Sequence, residues 1–238
     1  MAKFKNIMIR ILSIAFTVFV IVVLFIYSHK YNNRNISDVK LEVVAQENRL
    51  MLIDTLLMEF LSGEIDEFTG RNIKLLDHQL ILDKLYRLEA VDTVYISCGV
   101  TGALLIEVIQ KNPVAKVYLS KSDIKFLTDR GELIKSPYYG EELIIVSGNI
   151  TDETYMLINF IEEDKFFKAI TESIFIDKNK RHLLSTNYIE QPVSIGEIVD
   201  LEEKSDNLRY FLEAVGEKVE AYRELNLNYK NQIVAIKK

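Results

Sequence analysis

Three histidines (His29, His78, His182), one cysteine (Cys98) and three adjacent acid pairs (Glu141-Glu142, Glu162-Glu163, Glu202-Glu203) are the residues whose types could carry chemistry. Zinc would need three or four His, Cys, Asp or Glu ligands brought to one point. The histidines fall on a polar stretch, at a helix start and in a hairpin, and each is expected to be a solvated surface residue. One cysteine excludes an intramolecular disulfide and a cysteine-rich zinc site. Two carboxylates flanking a sugar linkage would make a wall-cleaving glycosidase. Adjacent residues point to different sides of a helix or strand, so these pairs do not present two acids to one bond. No H-E-x-x-H, G-x-S-x-G, Walker A or G-x-G-x-x-G pattern occurs. The isolated glycines suit turns, and no catalytic, metal-binding or cofactor-binding residue is assigned.

The chemistry that remains belongs to the backbone. Ile233, Val234, Ala235 and Ile236 form a strand-like run at the end of the sequence. At a sheet edge, its N–H and C=O groups would be an open template. A partner segment could then add as a new strand, main-chain bonds giving affinity and side-chain pockets giving specificity. Lys237 and Lys238 would blunt such an edge against aggregation. The competing expectation is a strand internal to the sheet with a purely structural role.

Several elements must position this run. A strand is expected over residues 221–229, where Leu225, Leu227 and Tyr229 alternate with Glu224, Asn226 and Asn228. Lys230-Asn231 joins it to a last strand over 232–237. Upstream, residues 200–215 read as a helix with Leu201, Leu208, Phe211, Leu212 and Val215 inward. Another helix is expected over 151–163. Short strands are expected at 114–119, 124–127, 132–134, 143–146, 173–176 and 182–185. Thr128-Asp129-Arg130-Gly131 has the composition of a hairpin turn, with glycine at a position suited to positive φ.

Before Pro113 the pattern differs. A strand over 38–45 precedes a helix over 48–61, with Ile53, Leu56, Leu57, Phe60 and Leu61 on one stripe and Gly63 as its stop. Asp77 is a candidate N-cap for a second helix through about Glu89. Strands over 91–98 and 104–108 follow, with Cys98 expected on the buried face. Two helices against a three-stranded sheet would bury a small core.

The chain has 238 residues, 49% hydrophobic and 27% charged, so extensive disorder is excluded. Its formal charge of -6 disfavours nucleic acid as a partner. Ile11 to Tyr27 contains no charge, and with the preceding turn reaches roughly the 30 Å of a bilayer core. Lys3, Lys5 and Arg10 precede it without an acid, which by the positive-inside rule puts the N-terminus in the cytoplasm and the bulk of the chain outside. A cleaved signal peptide would want a shorter apolar stretch and a small-x-small site. The chain leaves this segment through Phe25-Ile26-Tyr27-Ser28-His29, which supplies none.

Three stretches carry a resemblance to a family. Val108 to Ala115 (VIQKNPVA) is similar to the Val-x-Glu-Arg-x-Pro-x-Ala junction of the bacterial division proteins FtsQ/DivIB, with Gln110 and Lys111 in place of the acid and the arginine. Phe126 to Leu133 (FLTDRGEL) resembles that family's Tyr-x-x-Asp-x-x-Gly hairpin at Asp129 and Gly131. Leu225 to Ala235 (LNLNYKNQIVA) resembles its Asp-Leu-Arg-Tyr-x-Asn-Gly ending at Leu227, Tyr229 and Asn231. There Asn226, Asn228 and Gln232 replace the acid, the arginine and the glycine, which leaves Asn231 to take the left-handed conformation.

The resemblance implies an α+β protein: a cytoplasmic tail over 1–10, a single N-terminal transmembrane helix over 11–27 and a stalk over 28–36. A POTRA domain (β-α-α-β-β) over 37–112 and a mostly antiparallel β-domain with flanking helices over 113–238 would follow. It implies a non-enzymatic divisome scaffold of the cytoplasmic (inner) membrane, at the septum, without cofactors. Its partners would be FtsB/DivIC-like and FtsL-like proteins, with the septal synthase pair FtsW/FtsI behind them. The partner-binding residues would be Tyr229, Asn231, Gln232, Ile233, Val234, Ala235 and Ile236. The rival functions are a POTRA-type assembly chaperone and a peptidoglycan-acting enzyme. The chaperone would want several POTRA copies, and the enzyme a convergent cleft.

Overall fold

An uninterrupted apolar run can satisfy its backbone only by coiling when water is absent, and the first element does so. The computed structural model describes residues 2–46, 49–140 and 142–238, apart from the side chains of 2–10 and 31–32. The expected helix start at Asn48 and the acid Glu141 lie outside the described residues. Helix α1 (Ala2–Asn32) contains a stretch, Ile11–Lys30, of mean hydropathy 2.7 with none of it buried. By length and composition it is able to cross a membrane. Thr17 donates its hydroxyl hydrogen to Ser13 O at 2.9 Å, so this polar group is satisfied within the helix. The helix runs on through residues 28–32, past the apolar run itself.

The chain then divides into two units. The first, residues 1–44, 53–87 and 91–109, adds to α1 a three-stranded sheet and helices. Strand β1 (Asp38–Val44) is followed by α2 (Asp54–Phe60), α3 (Ser62–Phe68) and a 3₁₀ turn at Ile73–Leu75. Helix α4 (His78–Leu85) and strands β2 (Val91–Cys98) and β3 (Ala103–Gln110) complete it. The sheet order is β1-β3-β2, with β1 parallel to β3 from Asp38 opposite Ala103 to Val44 opposite Ile109. Val39, Leu41, Leu57, Leu61, Phe68, Ile81, Leu85, Leu104, Ile106 and Val108 are buried.

Three local expectations change here. The first helix does not stop at Gly63. It breaks at Leu61, whose φ of -97° leaves the helical range, and restarts with Gly63 inside α3. The break lets Leu57, Leu61 and Phe68 all face inward, while Leu56 and Phe60 turn outward. Asp77 does cap α4, accepting from Leu80 N–H at 3.2 Å, but the helix ends at Leu85 rather than near Glu89. Cys98 is half-buried rather than buried, because β2 is an edge strand and Cys98 is its last residue.

The second unit covers residues 45–52, 88–90 and 110–238. In chain order it holds β4 (Pro113–Tyr118), β5 (Ile124–Thr128), β6 (Leu133–Ile134), β7 (Ile144–Gly148), α5 (Asp152–Glu163) and α6 (Lys165–Ile170). Strands β8 (Thr171–Ile176), β9 (His182–Thr186) and β10 (Val193–Ser194) follow. Helix α7 (Leu201–Val215), a 3₁₀ stretch at Gly216–Ala221, β11 (Tyr222–Asn226) and β12 (Val234–Lys237) end it. Among the described residues, nine strands form one sheet in the order β12-β11-β10-β9-β8-β7-β4-β5-β6. Most neighbours are antiparallel, but β4/β7, β7/β8 and β10/β11 are parallel. Parallel neighbours need a crossover. Helices α5 and α6 supply it between β7 and β8, and α7 between β10 and β11.

Those helices also form the core with the sheet. Leu157, Ile158 and Ile161 of α5, Phe167 and Ile170 of α6, and Leu208 and Leu212 of α7 pack with Val146, Ile174, Leu184, Val193 and Leu225 of the strands. The alternate residues Ile145 and Phe175 are exposed, so the helices lie on one face. At the expected hairpin, Gly131 has φ +80° beneath the Tyr155 ring, and Tyr155 donates its phenolic hydrogen to Asp129 O. Gln110, standing where the family acid would be, is buried. Its side chain accepts from Met51 N–H (2.9 Å) and Leu52 N–H (3.2 Å), which holds the 49–52 loop. The whole is an α+β chain with an apolar N-terminal helix and a large, mostly antiparallel sheet.

Candidate functional site

The last strand, β12, stands at one end of the sheet order, and among the described residues its strand neighbour is β11 alone. The two are antiparallel, with Leu225 opposite Ala235 and Asn226 opposite Val234, and a bulge between Tyr222 and Glu224. Lys238 N–H bonds back to Ala221 O at 3.1 Å. Main-chain groups alternate in direction along a strand. The N–H and C=O of Val234 and Ile236 therefore face β11, and those of Ala235 and Lys237 face away. Ile233 and Ala235 pack their side chains on the core. Val234 lies on the opposite face and is exposed, and Ile236 is half-buried.

The loop before β12 is built, not slack. The strand expected through Tyr229 stops at Asn226, because Asn226 Oδ1 accepts from Asn228 N–H at 2.9 Å and draws the chain out of the ladder. Asn228, in the family arginine's place, points back: its Oδ1 accepts from Glu197 N–H at 3.2 Å. It lies so close over Gly196 (φ +71°) that a Cβ there would sit 2.2 Å from Oδ1. Asn231 has φ +56°, the left-handed conformation, and its N–H bonds to Glu203 Oε1 at 2.8 Å. Tyr229, Asn231 and Gln232 are exposed around this loop.

A second layer holds the first. Lys204 on α7 is buried, and its Nζ donates to Ile195 O at 3.0 Å and to Glu197 O at 2.5 Å. Burial pushes its pKa down, against the pull of Glu197, Asp200 and Glu203. Glu203 and Lys204, adjacent at the start of α7, thus fasten both legs of the 228–231 turn, one directly and one through residues 195–197. The sequence reads Glu202 and Glu203 as a solvated polar face. Glu202 is exposed as expected, but Glu203 is half-buried and accepts from Asn231 N–H, a contact made by tertiary packing for which no local signal exists.

The other chemistry-bearing residues are dispersed. His29 and His78 are exposed. His182, expected to be solvated, is instead fully buried at the start of β9, its Nε2 3.0 Å from Thr154 Oγ1 and its Nδ1 without a hydrogen-bond partner among the described residues. Burial lowers its pKa, and Glu153 and Asp177 only partly offset this. Glu162 is paired with Arg49 at 2.7 Å and Lys168 at 3.4 Å on the wall of a cavity of about 720 Å³. Among the described residues no three His, Cys, Asp or Glu side chains could hold a metal ion.

An apolar N-terminal helix long enough to cross a membrane, a small α+β unit and a large, mostly antiparallel sheet define the class of the chain. Residues 112–236, more than half of the chain, match the family model described as FtsQ/DivIB, C-terminal related. The chain belongs to the FtsQ/DivIB family, a non-enzymatic family of division proteins. No curated protein matches it.

Proposed function

We propose that this chain is a single-pass divisome scaffold. It captures an FtsB/DivIC-like strand, accompanied by an FtsL-like protein, along β12, and so recruits and regulates the septal synthase pair FtsW/FtsI. In this reading α1 crosses the cytoplasmic membrane with its N-terminus inside. Residues 37–112 serve as a POTRA domain and 113–238 as the partner-binding β-domain, and the protein gathers at the septum. Tyr229, Asn231, Gln232, Ile233, Val234, Ala235 and Ile236 form the docking edge. The observation that carries the reading is the half-paired β12, ordered from behind by α7, in a chain of a division family.

The test compares two prolines. Ala235→Pro removes an N–H that faces away from β11 and leaves the β11 pairing intact, so capture of the partner should weaken roughly five- to tenfold, about the worth of one main-chain hydrogen bond. Val234→Pro removes a bond to β11 itself and should loosen the strand. Unchanged partner affinity in a folded Ala235→Pro protein would refute strand addition. In cells, a midcell band supports the division role, and a uniform envelope signal supports an assembly chaperone instead.

A further inference from the structure

The chain leaves α1 without slack. Helix α1 ends at Asn32 and β1 begins at Asp38, and nearly every residue between them is bonded to the first unit. Arg34 O accepts from Ile73 N–H (3.0 Å), Ile36 N–H bonds to Arg71 O (2.9 Å), and Gly70 N–H bonds to Ile36 O (2.8 Å). Asn33 Oδ1 accepts from Asn72 Nδ2 at 3.1 Å, and Asn35 forms a bridge with Asn72. On the other side, Ser37 N–H bonds to Gly102 O (3.0 Å), and Arg34 donates through Nη2 to Cys98 O (2.8 Å) and through Nε to Cys98 Sγ (3.3 Å). Gly102 (φ +92°) is approached so tightly that a Cβ would lie 2.3 Å from Asn35 O.

Two loops therefore flank the exit of α1: residues 70–76 and the β2–β3 turn at 99–102. The topology puts that turn at the end of the sheet where α1 enters, since Asp38 is opposite Ala103. Each loop carries one uncovered apolar side chain. Val100 is 82% exposed and Leu75 70%, more than any other large apolar residue outside α1 among those described. From Tyr27 to Asn33 a helix rises only about 9 Å, close to the roughly 5–8 Å of headgroup layer on one side of a bilayer. The exposed Lys30 and Lys74 stand beside the same exit, as interfacial cations do.

We propose that Leu75 and Val100 insert into the headgroup–acyl boundary of the leaflet from which α1 emerges, so that the first unit is seated on the bilayer. The occupant of these two apolar tips is the lipid surface, because they are continuous with the helix that enters it. The inference rests on α1 spanning the membrane, and the test separates the two. The chain contains no tryptophan, so single tryptophans report position without background. Full-length Leu75→Trp, Val100→Trp, Val44→Trp and Phe19→Trp proteins are reconstituted in phosphatidylethanolamine/phosphatidylglycerol vesicles with and without brominated acyl chains. Val44, at the far end of β1, is roughly 20 Å from Asp38 and is the control.

The expected result is blue-shifted emission and quenching by brominated lipid for Leu75→Trp and Val100→Trp, with Val44→Trp unquenched. Quenching of Phe19→Trp alone, or together with only one of the two tips, overturns the seating while leaving the anchor intact. Absence of quenching at Phe19→Trp overturns the anchor and the seating together.

Discussion

The nine-stranded sheet has two edges, and they are finished differently. At one, β6 is only two residues long. The chain beyond it is fastened at once: Lys135 N–H is taken by the Glu89 carboxylate at 2.7 Å, and Tyr139 N–H by Leu50 O at 2.7 Å. At the other, β12 has four residues and an outward row of main-chain groups, and its fastening lies behind it, at the 228–231 turn. A short, tied-off edge is the usual protection against stray pairing. The contrast teaches that two unpaired edges of one sheet are not equivalent. In the proposed capture, β12 is the edge that offers repeated bonds and is held in register from its own side, so that a partner would not spend binding energy on ordering it.

Lys204→Met should break that comparison most. It leaves Ile195 O and Glu197 O without their buried charged donor and should lower unfolding stability by about 2 kcal/mol, read by chemical denaturation. The 228–231 turn should loosen with it, so β12 comes to resemble an ordinary frayed edge. Ala235→Pro should come next, through the capture loss above, while Leu133→Pro at the β6 edge should leave capture unchanged in a binding titration. Equal effects at both edges would erase the distinction. Asn231→Ala should cost about 1 kcal/mol, because alanine resists φ +56°, and Asn231→Gly should cost less. Thermal melts of the two variants decide it.

The smallest effect concerns His182, whose pKa is lowered in the folded chain. The unfolded chain therefore binds the extra proton first. Stability is full above the ordinary histidine pKa of about 6.5 and falls as pH drops below it. His182→Gln should flatten melting temperature against pH in that window. Asp177 and Glu64 are also held low, but they act only at lower pH, in the carboxylate range.

Much of this was legible in order of residues. Strand β2 spans the expected Val91–Cys98, and α5 and α7 lie within a residue of their apolar stripes, because a long period repeats its own signal. The positive φ at Gly131 followed from turn chemistry, which involves only near neighbours, and that at Asn231 from the family ending, whose glycine is Gln232 here. Helix α6 and strand β10 were not foreseen, since six residues and two are too few to show a period.

By itself, then, the sequence determined the apolar helix, the two patterns that meet near Pro113, the main elements and the family motifs, all local properties of the chain. Tertiary structure alone decided that β12 has one strand neighbour among the described residues, which of its amides face away, that Lys204 and His182 are buried, and that Leu61 splits a helix. Strand order and burial depend on residues far apart in the chain meeting in space, and a polar side chain that finds its partner there looks, in sequence, like one facing water.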